Sequence, residues 1–377
     1  MAKKRKARPW RFFIIMLIGV GIILMGSSTN FIEKIKNLMG YGELEFKKIG
    51  TIPLNKAAVH LFNQTLMVYE PSSQTLRAYG VEGQERWTFG EKIEKPIFSS
   101  TMNHLFVAER EKGKIYCIDS QGQLDWEMDL EKPVQMIQAN DRGYLAIYEQ
   151  EEKGTIYIYD LEKKQRGKIA VTQGVVMDMN LSREEDIVAL SIMSIINNKI
   201  ESNVILYSME GKLLGGNKYD GDIIARVYPG ADQKIINVGD RKLIGFSKEK
   251  GLLWNKEIDG SISKVAWNEA GYIVLGLMNN KKMIIDTKNR NSVSIFDFQG
   301  KELGSTILKG EVLGVDTRGE KSIAFTERTL YLLQKDGLEP IEKKISNDIQ
   351  SVQMISEDQL ALVFQEKLET VQIKYKD

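Results

Sequence analysis

The stretch 116–126, YCIDSQGQLDW, decides the fold because related copies of it recur along the chain. Each copy contains alternating apolar residues and then a glycine in a polar turn. The turn glycines are Gly42, Gly83, Gly122, Gly211, Gly251, Gly300 and Gly337. Successive glycines are 37 to 49 residues apart, except for one gap of 89. We interpret that gap as two units whose shared turn lies near Lys163, where the glycine has been lost.

A period of about 40 to 49 residues is typical of four-stranded propeller blades. Within each unit, short runs rich in Val, Ile, Tyr and Leu are bounded by polar turns, which predicts four strands, A to D. Eight A strands are expected, near residues 57, 96, 134, 175, 223, 262, 311 and 350. The eighth copy ends before a D strand, so we expect strand 43–49 to pair with the C-terminal blade and close the ring, which removes exposed sheet edges.

The sequence therefore predicts an all-β fold over 43–377, an eight-bladed β-propeller of four-stranded antiparallel blades. Seven blades is the alternative, if one irregular unit in 160–216 has been divided once too often. An aromatic residue three or four places after the turn glycine is expected to cover the seam between adjacent blades. These blade-docking residues are Phe46, Trp87, Trp126 and Trp254. Three other copies have Gly215, Gly304 or Ile341 in that slot, so their seams must be filled differently.

The N-terminal segment predicts a membrane anchor. A basic tail, 1–11, precedes 21 uncharged residues, 12–32. That length suits a transmembrane α-helix, which needs about 20 residues. Lys and Arg on this flank predict a cytoplasmic N-terminus, a single-pass helix in the lipid bilayer, a juxtamembrane linker at 33–42 and an extracytoplasmic propeller. The alternative is a cleaved signal peptide, whose apolar core is about 7 to 15 residues long.

The charge balance argues against nucleic acid as a partner. All six basic residues before position 33 lie in the first eleven positions, and residues 33–377 carry 46 basic and 51 acidic side chains. Phosphate binding needs clustered Lys and Arg, which this mildly acidic body does not offer. The single cysteine, Cys117, permits no disulfide within the chain and no CxxC zinc motif, and we interpret it as a small buried apolar residue.

Two copies, IYCIDSQGQLDWEMDL (115–130) and LRAYGVEGQERWTF (76–89), resemble the quinoprotein-like, or PQQ-like, β-propeller repeat. The chain is similar in particular to bacterial propellers held by one N-terminal transmembrane helix. More distantly, it is similar to a lipid-anchored envelope propeller that assists outer-membrane protein assembly. The resemblance implies a scaffold, or an enzyme that holds pyrroloquinoline quinone and Ca²⁺. None of the quinoprotein functional residues can be placed here by motif, so we predict no cofactor and no enzymatic activity.

Other chemistry has little support in the sequence. His60 and His104 adjoin apolar strands in adjacent blades, and we interpret them as ordinary strand or turn residues, with a catalytic base or a paired metal ligand as the alternative. Asp220 and Asp222 in YDGDI lack the further ligands of an EF-hand loop and are expected in a turn. The sequence contains no GxSxG, HExxH or P-loop motif.

Two B-to-C connections are long: IMSIINNKIESN (192–203) and MNNKKMIIDTKNRN (278–291). Both are expected on the same face of the ring. Their apolar residues Ile195, Ile196, Met283 and Ile284 are predicted to form a docking surface for another envelope protein. The alternative is drift in loop length. The predicted function is a non-enzymatic interaction scaffold or sensing module of the bacterial cell envelope, with a cell-wall glycan or small-ligand binder as the first rival.

Overall fold

The computed structural model describes residues 44–149, 154–183, 186–230, 234–268, 270–279, 290–335 and 340–375. These residues form 32 β-strands in two compact units, 47–372 and a small unit made of the chain ends. The described parts of the small unit, 44–46 and 373–375, are the ends of two strands. The predicted tail, transmembrane helix and linker, 1–42, lie outside the described residues. In the described ranges, no helix has the length and apolar character needed to cross a membrane.

The large unit is an eight-bladed β-propeller of four-stranded antiparallel blades, which confirms the predicted blade count and excludes seven. Blade 1 contains β2 (Ala58–Phe62), β3 (Thr65–Glu70), β4 (Thr75–Tyr79) and β5 (Glu85–Thr88). Blade 2 contains β6 (Pro96–Ser100), β7 (His104–Glu109), β8 (Lys114–Asp119) and β9 (Leu124–Asp129). Blade 3 contains β10 (Val134–Asn140), β11 (Tyr144–Glu149), β12 (Gly154–Asp160) and β13 (Gln165–Val171). Blade 4 contains β14 (Val175–Leu181), β15 (Ile187–Ile196), β16 (Lys199–Ser208) and β17 (Leu213–Asp220).

The remaining blades follow the same order. Blade 5 contains β18 (Ile224–Pro229), β19 (Lys234–Gly239), β20 (Lys242–Ser247) and β21 (Gly251–Glu257). Blade 6 contains β22 (Ser261–Asn268), β23 (Tyr272–Asn279), β24 (Arg290–Asp297) and β25 (Glu302–Leu308). Blade 7 contains β26 (Gly314–Arg318), β27 (Lys321–Phe325), β28 (Thr329–Gln334) and β29 (Ile341–Lys344). Blade 8 contains β30 (Ser351–Ser356), β31 (Gln359–Val363), β32 (Lys367–Tyr375) and, beside β32, β1 (Leu44–Pro53).

The turn between strands C and D needs a left-handed residue. In blade 2 this residue is Gly122, with φ of 84°, and its N–H donates to Asp119 O at 3.1 Å. Blade 3 makes the same turn with Lys163, whose φ is 64° and whose N–H donates to Asp160 O at 3.0 Å. The spacing therefore located the missing turn correctly, although a side chain replaces the glycine that this conformation favours.

The core lies between blades rather than within one sheet. One apolar cluster joins β7 and β8 of blade 2 to β10 and β11 of blade 3, and comparable clusters join six other pairs of neighbouring blades. The central B strands are covered on both faces, as in Leu105–Ala108, where all four residues have no exposed surface. Sheets stacked face to face require such continuous apolar strands.

Candidate functional site

The predicted docking tryptophans each reach the following blade. Trp126 Nε1 donates to Leu161 O of blade 3 at 2.8 Å. Trp87 Nε1 donates to Ser120 O of blade 2 at 3.3 Å, and Trp254 Nε1 donates to Phe298 O of blade 6 at 3.2 Å. The indole thus covers apolar surface and satisfies its N–H at the next C-to-D turn. A tryptophan needs such a partner when it is covered.

The turn glycines make room for these rings. A Cβ added at Gly122 would lie 2.4 Å from the ring of Trp87, and one at Gly300 would lie 2.7 Å from the ring of Trp254. Both positions also have positive φ. The glycine and the tryptophan of successive repeats are therefore coupled, since the ring of one blade occupies the space over the glycine of the next. The fourth predicted residue, Phe46, lies in β1 and is half-buried.

The hairpin of β15 and β16 projects from the opposite face. Its two ten-residue strands pair without interruption from Ile187 with Ser208 to Ile196 with Lys199. Its turn residues Asn197 and Asn198 have φ of 50° and 59°, which suits a two-residue type I′ turn. In blades 4 and 5, a bulge interrupts the pairing between strands A and B. The pair next to this bulge contains Ile192 in blade 4 and Gly239, the last residue of β19, in blade 5, so these two residues occupy equivalent positions. Four further residues carry β15 roughly 13 Å past that point, at about 3.3 Å per residue.

One side of this hairpin is apolar and uncovered. Ile195 is paired with Ile200, and the two are 71% and 36% exposed. Val175, which is paired with Met193, continues the same side and is 45% exposed. Lower down, this side faces blade 5, where Ser191 Oγ donates to Ile224 O at 2.6 Å. The exposed side chains therefore stand above the shorter hairpin of blade 5. We call Val175, Ile195 and Ile200 the hairpin patch.

The four predicted docking residues have different placements. Ile195 lies in the patch, whereas Ile196 points to the other side of the sheet and is only partly exposed. Met283 and Ile284 lie outside the described residues. Sequence reasoning missed Val175 and Ile200. The Asn197–Asn198 turn could have identified Ile200, because a two-residue turn places it directly opposite Ile195.

The two histidines have unrelated surroundings. His60 stacks on Phe98 with ring centroids 5.4 Å apart, and its Nε2 lies 3.4 Å from Ser100 Oγ. Burial lowers the pKa of His60 to about 4. This ring therefore stays neutral at pH 7 and packs across the seam between blades 1 and 2.

His104 instead approaches two other groups of blade 2. Its Nε2 lies 3.3 Å from Asp125 Oδ2, and one ligand atom from each of His104, Cys117 and Asp125 lies within 4.8 Å of the others. Cys117 is buried. Burial, and then the charges of Asp125 and Asp119, raise the pKa of the Cys117 thiol to about 12. Cys117 is buried as predicted, but the sequence did not predict that it lies close to His104 and Asp125.

Carboxylates also tie the innermost strands together. Asp178 Oδ2 accepts from Val227 N of blade 5 at 2.9 Å, and Asp316 Oδ2 accepts from Met354 N of blade 8 at 2.7 Å. Burial raises the pKa of both carboxyls. In the YDGDI segment, Asp220 ends β17, and Asp222 lies in the connection to β18, where its Oδ1 is 2.7 Å from Lys242 Nζ of blade 5.

Solved structures of similar fold are propellers of low sequence identity. BamB from Moraxella catarrhalis has a TM-score of 0.58 and 11% identity, and the alignment covers 87% of this chain and 100% of BamB. Saccharomyces cerevisiae Sqt1 has a TM-score of 0.62 and 11% identity, covering 88% and 100%. A chain of the Mitotic Checkpoint Complex has a TM-score of 0.51 and 12% identity, covering 75% and 90%. No curated protein matches the chain at a significant level.

At these identities the likeness shows the β-propeller fold alone. A family model, in contrast, matches nearly the whole propeller, residues 46–373. The chain therefore belongs to the DUF5711 family, a family of unknown function.

Proposed function

We propose that this chain is a membrane-anchored extracytoplasmic propeller that acts as a non-enzymatic interaction scaffold of the bacterial cell envelope. The observation that carries the proposal is the hairpin patch. Ile195 and Ile200 are held by ten-residue strands beyond the neighbouring hairpin, and their apolar side is uncovered. Burying apolar side chains against another surface is favourable, so exposed apolar patches mark interaction sites.

The surroundings of the patch suit a protein partner. The other side of the same hairpin carries Ile196 near the tip and a charged cluster in which Lys218 Nζ lies 2.5 Å from Glu201 Oε2 and 3.2 Å from Asp220 Oδ1. The patch itself borders the exposed polar turn residues Asn197 and Asn198, and apolar side chains with polar neighbours are the usual composition of a protein interface. A related fold occurs in a chain of a multiprotein complex, which supports this class of function. We also propose that the blades descend from the quinoprotein-like repeat and that this chain does not bind the quinone cofactor.

Affinity capture after crosslinking in cells tests the scaffold. The tagged full-length chain is compared with an Ile195→Asp/Ile200→Asp variant and with Leu213→Asp. Leu213 is the matched control because it is 69% exposed and also lies in blade 4, at the opposite face. We expect a discrete envelope protein to be captured by the wild type and by Leu213→Asp, and lost with the double variant. Equal capture by all three would contradict docking at the hairpin patch.

The proposed location has a separate test. The basic tail and the uncharged run 12–32 support a helix with its N-terminus in the cytoplasm. We expect the full-length chain to remain in the membrane fraction after a high-salt wash. Protease added to spheroplasts should digest the propeller. A protected propeller, or release by salt, would contradict the proposed orientation or anchor.

A further inference from the structure

Blade 2 brings three potential metal ligands to one edge. His104 opens β7, Cys117 lies in β8, and Asp125 lies near the start of β9. Their ligand atoms lie within 4.8 Å of one another. Because the three residues come from three neighbouring strands, the ladder hydrogen bonds fix their relative positions.

A bulge in the ladder produces this convergence. Cys117 pairs with Trp126 and Ile118 pairs with Leu124, which leaves Asp125 as the extra residue of β9. A bulge can turn the extra side chain to a side that regular alternation would deny it. Asp125 thereby reaches His104, with Oδ2 and Nε2 3.3 Å apart.

The donor set favours Zn²⁺. Thiolate, imidazole and carboxylate are all zinc ligands, and three protein ligands leave a fourth position for water or another group. Tetrahedral bonds of about 2.0 to 2.3 Å place neighbouring ligand atoms about 3.3 to 3.7 Å apart. The His104 to Asp125 distance of 3.3 Å already has this value. The three ligand atoms all lie within 4.8 Å of one another, so the Cys117 sulfur has to approach the other two by at most about 1.5 Å to reach this spacing.

The surroundings also suit a metal. Trp126 and Phe106 contact each other beside Cys117, with ring centroids 5.9 Å apart, and form an apolar wall. The side chains of His104 and Asp125 are 24% and 40% exposed, so an ion can enter from the face that carries the C-to-D turns. An apolar wall with a solvent path is typical of metal sites that keep an open position.

We propose that His104, Cys117 and Asp125 form a three-ligand zinc site with an open fourth position at the edge of blade 2. On binding, the thiol proton of Cys117 passes to solvent and the thiolate sulfur bonds the ion. The site joins three strands of one blade and is independent of the hairpin patch, which lies on blade 4 at the other face.

Cobalt titration of the full-length chain tests the site. The chain is purified without a polyhistidine tag, stripped with a chelator and titrated with Co²⁺, which adopts zinc geometry and is coloured. We expect saturation at one ion per chain, a thiolate-to-cobalt charge-transfer band, and loss of that band when Zn²⁺ is added. Zinc should also raise the melting temperature, since a ligand that binds only the folded state stabilises it.

Variants of the three ligands and one control variant decide between this site and other binding. Cys117→Ser should abolish the charge-transfer band, and His104→Gln or Asp125→Asn should each weaken zinc binding by at least about tenfold. His60→Gln removes the other histidine and should leave the titration unchanged. Asp125→Asn, at an exposed position, keeps the test informative if Cys117→Ser fails to fold. Absence of the charge-transfer band, or its persistence in Cys117→Ser, would overturn the proposal.

Discussion

The seam of blades 2 and 3 and the β15–β16 hairpin of blade 4 both carry large apolar side chains, but a neighbouring blade covers only those at the seam. At the seam of blades 2 and 3, the indole of Trp126 reaches the next turn and donates to Leu161 O. On the β15–β16 hairpin of blade 4, Ile195 stands clear of blade 5 and is 71% exposed. The seam repeats around the ring, whereas the hairpin departs from the repeat. Residues that follow the repeat build the ring, and we place the docking function at the hairpin that departs from it.

The largest effect is expected where a turn glycine meets a tryptophan. Gly122→Ala places a Cβ 2.4 Å from the ring of Trp87 and requires alanine to keep φ of 84°. Overpacking and the left-handed backbone together should lower the free energy of unfolding by about 2 to 4 kcal/mol. The matched change is Lys163→Gly at the same turn of blade 3, which should change it by less than about 1 kcal/mol. Urea unfolding of both variants measures this, and similar losses would contradict the coupling.

The seam tryptophan itself comes next. Trp126→Ala removes a half-buried ring and its hydrogen bond to Leu161 O, which should cost about 2 to 3 kcal/mol. Trp126→Phe keeps most of the apolar contact and should cost about half as much. Chemical denaturation separates the two variants. A stability of Trp126→Ala equal to that of the wild type would show that the ring does not fasten these blades.

A smaller, pH-dependent effect is expected at His60 in the seam of blades 1 and 2. Burial lowers its pKa to about 4, while in the unfolded chain the value is about 6.5. The unfolded state therefore binds the proton more tightly than the folded state. As the pH falls from about 6.5 towards 4, protonation of His60 in the unfolded chain lowers the free energy of unfolding by an increasing amount. His60→Phe keeps a ring against Phe98 and cannot be protonated.

The melting temperature of His60→Phe minus that of the wild type should therefore be larger at pH 4.5 than at pH 7. The corresponding gain is about 1 kcal/mol, discounted because the ring is partly accessible to solvent. A difference in melting temperature that is the same at both pH values would contradict this.

The sequence predicted the ring because its signals are local and periodic. The glycine spacing gave eight units, and the gap in that spacing located the turn at Lys163. The zinc ligands could not be found in this way. His104, Cys117 and Asp125 are not adjacent in the sequence, and their convergence depends on a one-residue bulge that has no glycine to mark it. Likewise, Val175 joins Ile195 only through strand register, which the sequence leaves open.

The smallest effect on stability is expected at the hairpin patch. Ile195→Asp replaces a side chain that is 71% exposed, so the free energy of unfolding should change by less than about 0.5 kcal/mol. Thermal melts of Ile195→Asp and Leu213→Asp should coincide with the wild type. A large loss with Ile195→Asp would mean that this isoleucine stabilises the fold.

Site-specific photocrosslinking in living cells tests whether the hairpin patch docks another protein. A photoreactive residue replaces Ile195 in one full-length variant and Leu213 in the other, since the two positions are equally exposed on opposite faces of blade 4. We predict one discrete adduct with another envelope protein from position 195 and none from position 213. No adduct at 195, or the same adducts from both positions, would contradict a docking surface on the hairpin.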